Sequence, residues 1–165
     1  MLSIRAATAG DADAIARIYR PIVETTTISF EEVAPEAGEI ARRIVSTTRT
    51  HPWLVACSGE TISGYAYASR HRERSAYRYS ADVSVYVVSD ARGLGIGSAL
   101  YTELLEQLSK RGFHRAFAGI TLPNDISVAL HRKFAFEPVG VYKEVGYKFG
   151  QWLDVAWWQR ALIQR

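Results

Sequence analysis

Residues 77–97 read Tyr-Arg-Tyr-Ser-Ala-Asp-Val-Ser-Val-Tyr-Val-Val-Ser-Asp-Ala-Arg-Gly-Leu-Gly-Ile-Gly, and the fold turns on this stretch. Its first part, Tyr77 to Val88, is rich in β-branched and aromatic side chains and predicts a central strand. Its second part, Arg92-Gly93-Leu94-Gly95-Ile96-Gly97, opens a helix whose buried stripe is Leu100, Leu104, Leu105 and Leu108, and Gly112 stops it. Gly93, Gly95 and Gly97 let backbone N–H groups turn inward with no Cβ in the way, and the helix start adds partial positive charge. An anion is expected there. Arg92 adds a guanidinium fork that matches phosphate oxygens.

A glycine cluster alone has several readings. A Walker loop ends in Gly-Lys-Ser/Thr, whereas Gly97 is followed by Ser98-Ala99. A dinucleotide fingerprint needs GxGxxG early in a βαβ unit, whereas the spacing here is GxGxG and two antiparallel strands precede it. A tight turn that binds nothing stays open as well.

Working outward, Ser3 to Ala7 reads as a short strand, and Asp11 offers an N-cap to a helix with Ile15, Ile18, Tyr19 and Ile22 on one face. Glu24 to Val33 is too rich in Thr and Ser to continue that helix and reads as a loop. Pro35, in a first helical turn, leads a second helix with Ile40, Ala41, Ile44 and Val45 on its stripe. Trp53 to Cys57 and Ile62 to Ser69 form a hairpin about Ser58-Gly59-Glu60, and His71 to Ala76 is a charged connection. After the glycine-loop helix come a strand from Arg115 to Thr121 and a turn at Pro123-Asn124-Asp125 into a short helix ending near Lys133. Val139 to Trp157 is an antiparallel pair turned at Phe149-Gly150-Gln151. This order predicts an α+β domain spanning residues 1–165, a mixed and mostly antiparallel twisted sheet with helices on both faces.

Composition narrows the class. The 165 residues are 48% hydrophobic and 12% aromatic, enough for a real core. Twenty basic against 17 acidic side chains, with no run of like charge, suit a phosphate-bearing ligand without demanding nucleic acid. The single cysteine, Cys57, can form neither an internal disulfide nor a metal cluster and is assigned to the core. With no charged leader before an apolar core and no apolar run of about 20 residues, a soluble cytoplasmic protein away from membranes is expected.

Arg92-x-x-Gly95-x-Gly97 after the strand resembles the coenzyme A loop of the GNAT superfamily of N-acetyltransferases. Glu24-Thr25-Thr26-Thr27, His51-Pro52-Trp53-Leu54-Val55-Ala56, Leu122-Pro123-Asn124-Asp125, Leu130-His131 and Gly146-Tyr147-Lys148-Phe149-Gly150-Gln151-Trp152-Leu153-Asp154 extend the resemblance over nearly the whole chain. They look like the phosphinothricin and methionine sulfoximine acetyltransferase branch. Two departures stand out: Asp82 where that branch usually has Glu, and Ala135 for the glycine preceding Phe136.

The resemblance implies acetyl-CoA as cosubstrate, no metal and a homodimer. It places the coenzyme against Val85, Tyr86, Val87, the loop Arg92, Gly93, Leu94, Gly95, Ile96, Gly97 and Ser98, then Asn124 and Lys133. An amine attacks a thioester only when neutral, so a base is needed, and Asp82 within an otherwise apolar or small-residue strand is the candidate. Asp82 could equally hydrogen-bond a neighbouring loop. His131 is the candidate acid for the departing thiolate or an anchor for the coenzyme, against the alternative of an ordinary capped or surface histidine. N–H groups from Val85 to Val87 would receive the oxyanion.

For the acceptor, the resemblance points to Arg74, Ser75, Ala76 and Tyr77, with Phe30 as a cover and with Lys148 and Trp152 reaching a partner's site. The expected reaction is acetyl transfer to the α-amine of a small amino acid, such as phosphinothricin, methionine sulfoximine or sulfone, or an arsenical analogue. A different amine, such as a polyamine, arylalkylamine or protein N-terminus, is the alternative. A non-catalytic coenzyme A-binding regulator is the other.

Overall fold

The computed structural model describes residues 1–162, so the last three residues of the expected 1–165 span lie outside it. Seven strands form one sheet in the order β1-β2-β3-β4-β5-β7-β6. They are β1 (Leu2–Ala6), β2 (Trp53–Ser58), β3 (Thr61–Arg70), β4 (Ser80–Val87), β5 (Arg115–Thr121), β6 (Glu137–Lys148) and β7 (Gln151–Ala161). Only β4 and β5 run parallel; the other neighbours are antiparallel, as the α+β reading requires.

The helices divide between the two faces. Helices α1 (Ala12–Thr25) and α2 (Ala37–Thr47) cover one, where Ile15, Val23, Ile40 and Ile44 pack on Trp53, Val55, Cys57 and Tyr65. Helix α3 (Ile96–Lys110) covers the other, its Leu100, Leu104 and Leu108 buried against Leu54, Ala66, Ala68, Val83 and Ala116. Gly64 permits this approach, since a Cβ there would stand 3.0 Å from the Tyr86 carbonyl and 3.1 Å from Ile96. Helix α4 (Asp125–Lys133) follows β5.

Several local expectations need correction. Ser75–Tyr77 is a short 3-10 turn, so the central strand starts at Ser80 rather than Tyr77. The Asp11 carboxylate does not cap α1; it accepts from the Thr8 N–H at 2.8 Å and pairs with Arg5, and that cation first of all holds it below the usual carboxylate range. Helix α1 carries Pro21 internally and runs to Thr25, and α2 starts after Glu36, leaving Pro35 outside its first turn. Val45 is 49% exposed and does not belong to the α2 stripe. The last two strands are longer than expected, from Glu137 and to Ala161.

Two turns explain their own residues. Phe149 and Gly150 have φ of 51° and 71°, the paired positive values that a two-residue hairpin with native twist requires. Helix α4 ends in a Schellman arrangement: Phe136 N–H donates to the His131 carbonyl at 3.0 Å, and Ala135 N–H to that of Arg132 at 3.0 Å. That geometry puts Ala135 at φ 59°, the left-handed conformation that favours glycine. Ala135→Gly is therefore expected to raise stability by about 0.5–1 kcal/mol, the relief of left-handed strain exceeding the added chain entropy. A urea midpoint at or below that of the parent chain would contradict this.

Candidate active site

The parallel pairing of β4 with β5 extends only over Ser80–Asp82 against Arg115–Phe117. Beyond Asp82, β4 keeps its partner β3 and β5 keeps β7, while their facing edges separate. A cleft opens there, walled by Val83, Ser84, Val85 and Tyr86 on one side and by Ala118, Gly119, Ile120 and Thr121 on the other. Ile28, Tyr101, Asn124, Ser127 and His131 complete the lining. The edge of β4 thus offers unpaired backbone amides to an extended, amide-bearing guest.

The cleft leads to the glycine loop. Gly93 and Gly95 have φ of 80° and 79°, and Gly95 is the N-cap of α3 with no side-chain cap, so the first amides of the helix are free to receive an anion. Gly97 lies within α3, where a Cβ would meet only ordinary contacts from 3.8 Å, so the backbone itself does not demand glycine there. Lys133, at the end of α4, donates to Ser98 Oγ at 2.9 Å. That contact brings a second cation to the helix start beside the exposed Arg92, and Leu94 is exposed at the loop's tip. Asn124 Oδ1 caps α4 by accepting from Ser127 N–H at 3.1 Å, so its turn role is realised while the residue still lines the cleft.

Along β4 side chains alternate: Ala81 and Val83 face α3, and Asp82, Ser84 and Tyr86 face α1 and α2. Asp82 stands at the last paired rung, the root of the cleft. Burial raises its carboxyl above the usual carboxylate range, opposed by a hydrogen bond and charge from His71 and by the charge of Arg72. His71 Nδ1 lies 2.5 Å from Asp82 Oδ1. The sequence reading passed over His71 as part of a charged connection; a histidine eleven residues before an in-sheet carboxylate gives no local signal, and only the β3–β4 pairing brings them together.

His131 is 3% exposed. Its Nδ1 faces the Ser127 carbonyl at 2.7 Å, which can only accept, so Nδ1 carries the proton and Nε2 accepts from the Tyr101 hydroxyl at 3.0 Å. Burial lowers the basicity of the imidazole and keeps the ring neutral, and burial likewise raises the Tyr101 phenol. The hydroxyl proton at this wall therefore belongs to Tyr101. Reading α3 as a leucine stripe missed Tyr101, because one buried aromatic beside four leucines looks like core.

The acceptor residues are only partly gathered. Tyr77 lies edge-on to His71 at 5.9 Å, while Arg74, Ser75 and Ala76 are exposed on the 3-10 turn. Phe30 seats on β6, where a Cβ on Gly146 would come within 2.3 Å of its ring, and Ile28 is the residue of that loop that reaches the cleft. Lys148 does not reach outward. It is 3% exposed and donates to the Val23 and Ser29 carbonyls of its own chain, each at 2.7 Å. Trp152 is 62% exposed and packs on Tyr147. Cys57 is buried in β2, in the core under α1 and α2, as assigned.

A family model described as an acetyltransferase (GNAT) domain matches residues 4–157. The chain belongs to the GNAT acetyltransferase family. This GNAT chain is 38% identical over 159 residues to the phosphinothricin N-acetyltransferase of Streptomyces viridochromogenes, covering 96% of its own length and 87% of that relative. It is 36% identical to the L-methionine sulfoximine/L-methionine sulfone acetyltransferase of Pseudomonas aeruginosa, over 95% of this chain and 92% of the other. A crystal structure of a GNAT superfamily phosphinothricin acetyltransferase from Sinorhizobium meliloti in complex with AcCoA superposes with a TM-score of 0.93 at 40% identity. That match covers 97% of this chain and 88% of that one. Among the described residues no group of three or more His, Cys, Asp or Glu side chains could hold a metal, and no helix is long and apolar enough to cross a membrane.

Proposed function

We propose that this acetyl-CoA-dependent N-acetyltransferase acetylates the α-amine of a small amino acid of the phosphinothricin or methionine sulfoximine type by direct attack. The observation that carries the reading is the join between an uncapped helix start and an unpaired strand edge, with Asp82 at the root of the same cleft. Acetyl-CoA supplies the acetyl thioester. The free amides of α3, with Arg92 and the Ser98–Lys133 pair, suit its pyrophosphate, and the β4 edge from Val85 to Val87 suits the amides of its arm and the oxyanion. Asn124 keeps its side-chain NH2 for the same arm.

Deprotonation of the acceptor depends on Asp82, whose charge at the cleft root draws the ammonium proton. His131 acts with Tyr101 where the thiol departs: the phenol proton rests on the hydrogen bond to Nε2 and turns to the thiolate as the C–S bond breaks. Arg74 and Tyr77, with Ser75 and Ala76 in the same turn, receive the acceptor's anionic groups, and the loop of Ile28 and Phe30 covers it, Ile28 reaching the cleft. The chemistry calls for no metal. Exposed Val139, Val141, Tyr142, Tyr147 and Trp152 on β6 and β7, with Phe149 in the turn between them, support a homodimer, because a monomer would leave this much apolar surface in water.

Release of free thiol from acetyl-CoA, measured across a panel of amines as kcat/KM, tests the assignment. Phosphinothricin and methionine sulfoximine are expected to exceed spermidine, phenethylamine and an alanine-terminated peptide by about 10²-fold or more, because a polar site left unpaired penalises an acceptor without the matching groups. A peptide or polyamine at the head of the panel would overturn the acceptor. Coenzyme binding with no turnover of any amine would overturn the reaction.

A further inference from the structure

The charged connection after β3 holds an imidazole that the reaction as described leaves idle. His71 Nδ1 stands 2.5 Å from Asp82 Oδ1, and an ionised carboxylate can only accept, so Nδ1 carries a proton, and in the neutral ring Nε2 keeps its lone pair. No described residue bonds Nε2, and it is not among the buried unpartnered atoms, so it opens on solvent although the side chain as a whole is 13% exposed. The ring is held on three sides. It stacks on Phe117 at 4.3 Å and 21°, meets Trp157 edge-on at 6.0 Å, and faces the Tyr77 ring at 5.9 Å. The Arg72 guanidinium lies over the Trp157 ring, 5.7 Å from its centroid, and its charge is felt at Asp82, as is that of Asp82 at Tyr67. Trp157 Nε1 is buried with no partner, a donor beside the ring that a polar guest or water would satisfy. Gly119 makes room for this wall, since a Cβ there would stand 3.1 Å from the Trp157 ring.

We infer that His71 is a catalytic residue of the acetyl transfer: its Nε2 takes the proton of the acceptor ammonium, and Asp82 is the positioning residue that fixes Nδ1–H and offsets the imidazolium. This rests on the N-acetyltransferase reading and refines the part that Asp82 plays in it. Oδ1 of Asp82 is committed to His71, which leaves Oδ2 of Asp82 and Nε2 of His71 as the two open acceptors of the pair. Imidazole is also the side chain that exchanges protons near neutral pH. In the step, an N–H bond of the ammonium breaks and an Nε2–H bond forms. The freed lone pair attacks the thioester carbonyl, and the C–S bond breaks as the tetrahedral intermediate collapses. The nitrogen's second proton leaves with the thiol, through the Tyr101 hydroxyl. The proton on His71 passes to solvent, so one proton is released per turnover.

The test uses the full chain with His71→Gln, His71→Ala and the parent, assayed with the best acceptor of the panel. The variants are expected to lose about 10²-fold in kcat with the KM for acetyl-CoA unchanged. Added imidazole should restore part of the His71→Ala rate, and substituted imidazoles should do so in order of basicity. Rescue of that kind separates a proton acceptor from a packing residue. A folded His71→Gln variant with the parent's kcat and pH profile would overturn the inference and leave Asp82 as the base itself. A parent chain that acetylates no amine would overturn the acetyl-transfer reading instead. Nitrogen-15 spectra of the substrate-free protein give a readout that needs no turnover: the neutral ring is expected to carry its proton on Nδ1 and leave Nε2 bare, and the opposite tautomer overturns the role of His71.

Discussion

Asp82→Asn is expected to lower kcat about 10²- to 10⁴-fold while the KM for acetyl-CoA stays near that of the parent. The amide is close to isosteric, so β4 keeps its pairing and the cleft its shape; what is lost is the negative charge at the cleft root. An oxygen still faces His71 Nδ1–H, but it no longer offsets a proton arriving on the acceptor side. The pH profile carries the second half of the prediction. Burial raises the Asp82 carboxyl, so in the parent the charge is lost as pH falls through a value above the ordinary carboxylate range, and kcat/KM falls with it. Asp82→Asn should shift that acid limb as well as lower the rate. A variant with the parent's kcat, or one that loses rate only through a raised coenzyme KM, would place Asp82 outside proton transfer.

Leu104→Ala is expected to cost about 2–5 kcal/mol of unfolding free energy, the loss of buried methyl groups together with the cavity they leave. Leu104 is fully buried at the centre of the contact between α3 and the sheet, between Leu100 and Leu108 on one stripe. Neighbours on the sheet are small, with Ala66, Ala68, Ala81 and Ala116 in the same core, so little can swing in to fill the void. Against a total of roughly 5–15 kcal/mol for a domain of this kind, such a loss removes a large share of the stability. Helix α3 also carries the glycine loop, so coenzyme affinity should fall together with the urea midpoint. A loss below about 1 kcal/mol would mean that the packing on α3 is looser than its burial implies.

The same physics separates what reads plainly in the chain from what does not. Helix α3 and its leucine stripe, the β2–β3 hairpin, the β5 strand and the Phe149-Gly150 turn follow from periodicity and from backbone conformations that few residues tolerate. Boundaries were less legible where tertiary contacts outbid local preference. Tyr77 and Tyr79 have strand-forming side chains, yet Tyr77 closes a 3-10 turn whose ring faces His71, and Tyr79 supplies the carbonyl that receives the His114 N–H. Asp11 has an N-cap's chemistry but turns back to Arg5, a bidentate partner stronger than the helix amides.

For the site, the loop Arg92 to Gly97 announces an anion on its own, because free amides at a glycine-rich helix start are a local property. Motif spacing, with the likeness it carries to a known superfamily, was enough to name the donor. Which groups do the chemistry is not local. His71 meets Asp82 only because β3 and β4 pair in a particular register, and Tyr101 meets His131 only because α4 packs back on α3. Lys148 likewise looked outward along its hairpin, but the fold places it beneath the Ser29 loop, where two carbonyls take its protons. Hydrogen bonds between residues far apart in the chain depend on the positions of whole elements to within fractions of an ångström. Periodicity sets which face a side chain occupies and says nothing of what will stand across from it.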